Sequence, residues 1–246
     1  MVRGEGVRVA MWSGPRTLST ALMRSWEARG DTFVADEPFY AHYLRATGAE
    51  HPGREEVIEV HETDWRRVTE WLTGPVPEGK RIFYQKHMAH HLLPEMEGAW
   101  LERLSHAFLI REPREMLTSL VEVTPDPGID DTGLPQQARL FRRSVERTGS
   151  VPPVVDARDV QEDPAGVLAR LCERLGVPWT DRMLSWEAGP RESDGAWAKH
   201  WYGAVLESTG FRPWRPKPDR VPARLAELLA ACDDLYGELR RHRITA

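Results

Sequence analysis

The stretch V-R-V-A-M-W-S-G-P-R-T-L-S-T-A-L-M-R-S, residues 7–25, predicts a β-strand, a tight turn and an α-helix in succession. β-forming residues run to Trp12, the chain breaks at Ser13-Gly14-Pro15, and apolar residues at helical spacing follow. Gly14 permits a close approach of the backbone to a ligand. Because the free N–H groups at the start of a helix favour an anion, the junction fits a phosphate. Most junctions of this composition only cap a helix, so the rest of the chain must decide.

Small hydroxyl residues follow the turn at Thr17, Ser19 and Thr20 and supply further hydrogen-bond donors for an anion. The loop that binds ATP and GTP in kinases reads G-x-x-x-x-G-K-[ST], and this turn has neither the second Gly nor the Lys. Arg16 is the only cation in the turn. The sequence therefore predicts a phosphate site that is not built for ordinary ATP or GTP chemistry.

Composition predicts one α/β domain over residues 1–246, with 41% hydrophobic residues and 29% charged residues. A formal charge of −5 argues against general binding to nucleic acid or to anionic membranes. No apolar run approaches the length of a membrane span, and the two cysteines have no metal or redox spacing. We expect a soluble, cytoplasmic protein with reduced cysteines.

Glu37 follows a predicted buried strand at residues 32–35. Open α/β sheets bind ligands beyond the carboxyl ends of their strands, so Glu37 could lie beside the first turn. Alternatively, Asp36 could cap a helix with Pro38 in its first turn. The sequence leaves both interpretations open.

A second strand end carries Lys86 and His87 after the predicted strand at residues 81–86. With His90 and His91 a metal site is conceivable, but no carboxylate nearby in sequence completes a ligand set, and we expect no metal. A titratable His beside a Lys suits acid–base and electrostatic work. For each His taken singly, helix capping or surface exposure is an equally good account.

A third strand end delivers Arg111, and Ser119 follows eight positions later on a helix that Pro113 starts. A guanidinium there can hold a phosphate through two hydrogen bonds. Residues 124–135 predict a long loop, either a mobile lid or plain surface. One helix is predicted over residues 54–72, and a largely solvated basic helix over residues 136–148.

These sites, each at a strand end, resemble the PAPS-dependent sulfotransferase family; PAPS is adenosine 3′-phosphate 5′-phosphosulfate. Residues 15–20 resemble the family's loop for the 5′-phosphosulfate, and residues 108–119 its 3′-phosphate segment. Residues 159–179 look like a late motif that begins with an acidic residue and Pro and ends in Leu-Gly-x-Pro. The resemblance implies a three-layer α/β sandwich with a mainly parallel central sheet and a P-loop-like turn. It also implies a metal-free sulfuryl transfer from PAPS to a hydroxyl or amine.

The resemblance also implies residue roles. The donor loop would comprise Gly14, Arg16, Thr17, Ser19 and Thr20. Arg16 and Lys86 would stabilise the phosphosulfate. The general base would be His87, with Glu37 as the alternative. The 3′-phosphate would be held by Arg111 and Ser119, with help from Lys199.

The chain departs from the family pattern at three places. Leu18 stands where many members have Gly. The base region reads Gln85-Lys86-His87 where many relatives read Lys-Thr-His. The terminal Gly-x-x-Gly-x-Trp-Lys pattern is reduced to Gly195, Trp197 and Lys199 with one extra residue.

Two other functions stay open on sequence grounds, a nucleotide-dependent kinase of the same fold and an inactive nucleotide-binding module. A kinase would need a divalent metal and usually a Lys in the phosphate loop. We expect a small-molecule acceptor and no nucleic-acid or membrane partner.

Overall fold

The structure is a computed structural model, and it describes residues 6–216, 218 and 220–245. Its strands are β1 (Val7–Ser13), β2 (Thr32–Asp36), β3 (Ile82–Met88), β4 (Ser105–Ile110) and β5 (Val154–Asp156). Its α-helices are α1 (Ser19–Glu27), α2 (Tyr40–Thr47), α3 (Arg54–Val60), α4 (Trp65–Thr73), α5 (Pro113–Leu120), α6 (Leu134–Thr148), α7 (Ala157–Glu162), α8 (Pro164–Arg174), α9 (Ala198–Trp201), α10 (Gly203–Leu206) and α11 (Ala226–Arg240). Short 3-10 turns occupy Pro77–Gly79, Ala89–His91, Pro94–Met96, Ala99–Arg103, Asp130–Thr132, Asp181–Leu184 and Ala223–Leu225.

The five strands form one sheet in the order β2-β3-β1-β4-β5, and every neighbouring pair is parallel. Parallel neighbours need crossover connections, which the helices supply. This confirms the predicted α/β fold with a parallel central sheet. All strands run the same way, so the ends of β1, β2 and β3 meet at one edge, where Ser13 is level with Met88 and Asp36 with Lys86.

Each face of the sheet is covered by a separate apolar core. The first core contains Met11 and Tyr84 together with residues of α1 and α8. The second contains Trp12 and Phe83 together with residues of α4 and α6. Successive strand residues point to opposite faces, so this division follows from the alternation within β1 and β3 and produces three layers.

Two predicted helices differ from the structure. Residues 54–72 form two helices, α3 and α4, because the Asp64 side chain accepts a hydrogen bond from the Arg66 amide (2.9 Å) and starts a new helix there. The basic helix α6 is not mainly solvated, because it packs one face on the sheet. On that face the Gln137 side chain donates to the carbonyls of Trp12 (2.9 Å) and Leu109 (3.0 Å).

His87 lies inside the second core. Its ring stacks on Trp12 at 4.3 Å and on Phe39 at 5.4 Å between centroids, and only 1% of the residue is exposed. Nε2 lies 3.3 Å from the Gln85 side-chain oxygen, whereas Nδ1 has no hydrogen-bond partner. Burial, with a smaller effect of His106, lowers the pKa of His87 to about 3. The ring is therefore neutral at pH 7.

In the part of the chain that the structure describes, no helix is both long and apolar enough to cross a membrane.

The buried state of His87 predicts a loss of stability in acid. The unfolded chain binds a proton on this histidine below about pH 6.5, whereas the native state does not until about pH 3, so stability falls as the pH drops through this window. We expect His87→Phe, which keeps a ring between Trp12 and Phe39, to reduce the slope of unfolding free energy against pH by about 1.4 kcal/mol per unit between about pH 4 and pH 6. Urea denaturation at several pH values measures this slope. His200→Phe, at an exposed position, is the control, and an unchanged slope in His87→Phe would contradict the burial argument.

Candidate active site

A cavity of about 660 Å³ opens at the edge where the ends of β1, β2 and β3 meet. Its walls come from the turn after β1, the start of α2, residues 50–52, the turn at Ala89–His91, Arg111, the end of α5, and residues 201–212. This is the edge at which an open parallel sheet binds ligands.

The turn between β1 and α1 is held in an unusual backbone conformation. Arg16 and Leu18 have φ of 58° and 76°, in the left-handed region, and the Thr17 hydroxyl donates to the Gly14 carbonyl (2.7 Å). A Cβ atom at Gly14 would lie 2.2 Å from the Thr132 carbonyl oxygen, so only glycine fits this crossing. No side chain among the described residues caps α1, so the free amides of its first turn face the cavity at Ser19.

Three predicted site residues from different parts of the chain meet at the mouth of the cavity. They are Arg16, Arg111 and Ser119, which we call the donor set. The Arg16 Nε donates to the Ser119 hydroxyl (2.8 Å), and the Arg111 Nη1 donates to the Arg16 carbonyl (2.7 Å). Arg111 also pairs with Glu115 (2.9 Å), while the Arg16 side chain is exposed. Arg16 and Ser119 are 103 residues apart in sequence, and the fold brings them into contact.

Lys86 is buried at the base of the cavity among oxygen atoms. Its Nζ donates to Asp36 Oδ1 (2.8 Å), Glu37 Oε1 (2.5 Å) and the Tyr202 hydroxyl (2.7 Å), and the Tyr202 hydroxyl in turn donates to the Asp36 carboxylate (2.7 Å). Burial alone would lower the pKa of Lys86, but the Asp36 and Glu37 carboxylates outweigh it and raise that pKa well above its usual value. Lys86 therefore stays protonated, and the carboxylates that it contacts balance its positive charge.

Glu37 lies between this cluster and the open cavity. It has φ of 42°, its amide donates to the Lys86 carbonyl (2.9 Å), and its second carboxylate oxygen lies 3.8 Å from His91 Nδ1. Burial raises the pKa of Glu37, and Lys86 opposes that shift. Of the two interpretations of this segment, the structure has Glu37 lining the cavity, and α2 begins only at Tyr40 without Asp36 as its cap.

Two other predicted site residues lie away from the cavity. His87 points into the second core, on the opposite face of β3 from Lys86. Lys199 is exposed and pairs with Glu56 on α3, because the short helix α9 turns it outward. Their assigned roles stay predictions without support from this geometry. His90 and His91 do line the cavity, and no group of three or more His, Cys, Asp or Glu with metal-binding geometry occurs in the described ranges.

Several residues of the cavity and of the buried Lys86 cluster at its base have no signal in the local sequence. Asp36 fitted a helix cap equally well, and Tyr202 is 116 residues from the lysine that it contacts. His91 was one of three neighbouring histidines with no feature to distinguish it. Only the tertiary fold assembles these groups.

The Lys86 cluster predicts a large stability loss on substitution. Lys86→Met leaves the Asp36 carboxylate buried without its cation, and we expect a loss of about 3–5 kcal/mol in unfolding free energy by urea denaturation. Lys199→Met breaks an exposed ion pair of the same chemistry and is the matched control, with little change expected. Equal effects of the two substitutions would show that Lys86 is not structurally paired in solution.

Comparisons with known proteins agree with this architecture. The family model described as "Sulfotransferase domain" matches residues 7–241. Two curated Arabidopsis thaliana proteins, branched-chain-amino-acid aminotransferase-like proteins 1 and 2, are 38% and 35% identical over 234 and 233 residues. The matched region covers 94% of this chain but 41% of each relative, so the chain spans about two fifths of their length.

Solved structures show the same fold at low sequence identity. A sulfotransferase from Alicyclobacillus acidocaldarius superposes with a TM-score of 0.55 at 13% identity and covers 97% of both chains. The sulfotransferase domain from the curacin biosynthetic pathway gives 0.50 at 14% identity and covers 98% of this chain and 99% of that one. With the family match over residues 7–241, the chain belongs to the sulfotransferase domain family.

Proposed function

We propose that residues 1–246 form one sulfotransferase domain that moves the sulfuryl group of PAPS to a small-molecule acceptor. The observation that carries this proposal is the hydrogen-bonded set of Arg16, Arg111 and Ser119 beside the uncapped start of α1. Two guanidinium groups and free backbone amides at the mouth of the cavity suit a sulfate donor that carries phosphates at the 3′ and 5′ positions of its ribose. The family supports a nucleotide sulfate donor.

The proposed contacts to PAPS follow from the positions of the turn and of Arg16, Arg111 and Ser119. We assign the 5′-phosphosulfate to the amides of the turn at Gly14 and to the side chains of Arg16, Thr17, Ser19 and Thr20. The 3′-phosphate goes to Arg111 and Ser119. Sulfuryl transfer depends on positioning and on stabilising charge on the leaving oxygens, so fixed donors and cations can supply the catalysis. A cofactor metal is not part of this scheme.

Glu37 is our choice of general base, in preference to His87. Glu37 lines the cavity and its raised pKa gives the carboxylate a greater affinity for a proton, whereas His87 is buried outside the cavity. In the reaction Glu37 takes the acceptor's hydroxyl proton, and the acceptor oxygen forms a bond to sulfur. The bond from sulfur to the phosphate oxygen breaks, and adenosine 3′,5′-bisphosphate leaves with the electron pair.

Lys86 acts in this scheme through Glu37. Because its ammonium is already bonded to Asp36, Glu37 and Tyr202, it positions the base, and we no longer assign it to the phosphosulfate. A kinase of the same fold is the weaker candidate, since the turn has no lysine and no second glycine.

Nucleotide selectivity separates the two enzymes. We expect a saturating concentration of adenosine 3′,5′-bisphosphate, at about 100 times its Kd, to add about 2.7 kcal/mol of stability, read as a rise in Tm. ATP with magnesium should have a much smaller effect. Arg16→Ala should weaken bisphosphate binding about tenfold to a hundredfold, because a charge-assisted contact is lost. Arg45→Ala, at an exposed arginine away from the cavity, is the control, and a preference for ATP with magnesium would favour the kinase.

The choice of base is tested by single-turnover kinetics. Transfer of labelled sulfuryl from PAPS is measured to the best acceptor from a panel of alcohols, phenols and amines. Glu37→Gln keeps the shape of the side chain but cannot accept the proton, and we expect about 10²–10⁴-fold slower transfer. His87→Phe should retain most of the rate. A rate lost in His87→Phe and kept in Glu37→Gln would assign the base to His87 instead.

A further inference from the structure

One part of the cavity is walled almost continuously by aromatic rings. The rings that line it belong to Tyr40, Tyr43, His51, His90, His91 and Trp201, which we call the ring wall. His91 is stacked between Tyr40 and Tyr43, with 4.7 Å between centroids in both pairs. The Tyr40 hydroxyl and His51 Nδ1 lie 2.8 Å apart, and the Trp201 ring lies 6.4 Å from the His51 ring. These contacts fix the rings before any ligand binds.

Carboxylates accompany the ring wall. Glu37, Glu50 and Asp131 all line the cavity. Burial, and next to it the Asp131 carboxylate, raise the pKa of Tyr43, which places that charge against the rings. An aromatic wall with carboxylates beside it is the combination that binds organic cations, because ring faces and carboxylates both attract positive charge.

Two of the positive charges of the cavity lie at its mouth, and a third is neutralised by carboxylates. The basic side chains that line it within the described ranges are Arg16, Lys86, Arg111 and Arg212. The first and third belong to the donor set at the mouth, Lys86 is neutralised by two carboxylates, and Arg212 donates to the Ala204 carbonyl (3.3 Å). Burial lowers the pKa of His51, His90 and His91, so these rings are uncharged at neutral pH.

An unsatisfied polar atom in the ring wall points to a ligand. His91 is 3% exposed, and its Nδ1 has no hydrogen-bond partner. The Glu37 oxygen at 3.8 Å is beyond hydrogen-bond distance. A buried nitrogen without a partner costs stability, and a ligand hydroxyl bound between His91 and Glu37 would satisfy it.

We propose that the ring wall and its carboxylates bind the acceptor as an organic cation, an amino alcohol or an aminoalkylphenol whose amine is protonated or quaternary. The hydroxyl of the same molecule lies toward Glu37 and receives the sulfuryl group. This assignment rests on the proposed sulfotransferase function, because that reaction defines the acceptor and gives Glu37 its role. The hydroxyl proton passes to Glu37 as the new oxygen–sulfur bond forms and the donor's sulfur–oxygen bond breaks.

Two pairs of probes test the charge of the acceptor directly. Isothermal titration compares choline with 3,3-dimethylbutan-1-ol, in which carbon replaces the quaternary nitrogen, and tyramine with 4-ethylphenol. The protein is titrated with and without adenosine 3′,5′-bisphosphate. We expect the cation of each pair to bind at least about tenfold more tightly than its neutral partner. Equal affinity within the pairs, a preference for the neutral members, or no binding of either cation overturns the proposal.

Variants locate the binding site. Tyr43→Leu and Glu50→Gln should each weaken binding of the cations about tenfold and leave the neutral probes nearly unchanged. Tyr43→Phe keeps the ring and should retain affinity. Glu59→Gln, an exposed glutamate outside the cavity, is the matched control for charge. Unchanged choline affinity in both Tyr43→Leu and Glu50→Gln places the cation elsewhere and overturns the proposal.

The two proposals fail in different ways. If adenosine 3′,5′-bisphosphate stabilises the protein but the neutral probes bind as well as the cations, the acceptor class is wrong and the sulfotransferase function stands. If the cations bind at the ring wall but the bisphosphate has no effect, the proposed function is wrong. Transfer from labelled PAPS tests both proposals together. If both hold, choline should accept the sulfuryl group faster than 3,3-dimethylbutan-1-ol at equal concentration.

Discussion

The buried ammonium of Lys86 is the constraint on which the site depends. A charge in a site with 1% exposure is tolerated only with partners, and Lys86 takes three, from the end of β2 and from Tyr202. Tyr202 lies 166 residues from Asp36, to which it also donates, and its hydroxyl accepts a hydrogen bond from Trp197 Nε1 (3.1 Å). One charge thus fastens the late segment that walls the cavity to the strand ends that form its base. The same contacts hold Glu37 at the wall of the cavity.

Strained backbone at the cavity shows how the turn reaches its shape without the family's usual residue. Arg16, Leu18 and Glu37 all have positive φ, which costs roughly 1 kcal/mol or more for residues with a Cβ atom. Glycine adopts that conformation freely, so the Gly of many relatives at the position of Leu18 has a physical reason. Here the Leu18 side chain packs against the first core, and this contact offsets part of the strain. The positive φ at Leu18 therefore has an energetic cost that a glycine at this position would not carry.

The parts of the fold and site that sequence could predict are those encoded locally. The strand, turn and helix at residues 7–25 and the hydrogen-bonded pair of Arg16 and Ser119 depend on short patterns beside strand ends, and the parallel sheet brings such ends together. Lys86 and His87 are neighbours on one strand, so their side chains must point to opposite faces, and only one of them can line the cavity. The strand predicted from sequence ends at residue 86 and leaves His87 beyond it, whereas β3 continues to Met88, so the exclusion applies only once the full strand is known. Sequence also could not say which of the two residues points inward. That depends on which face of β3 meets α1 and which meets α4.

Positive and negative side chains lie in different parts of the cavity, and residues from several elements together produce this separation. The guanidinium groups of Arg16 and Arg111 lie together at the mouth, whereas Glu50 and Asp131 accompany the ring wall. A donor with several negative charges is attracted to the first group and repelled by the second, so its phosphates cannot occupy the ring wall at low energetic cost. The aromatic residues of α2, the turn at Ala89–His91 and α9 are each unexceptional in sequence. They suggest a binding site only because the fold places them together beside these carboxylates. The acceptor chemistry that we propose therefore rests on the distribution of charge across the cavity, which exists only after the chain has folded.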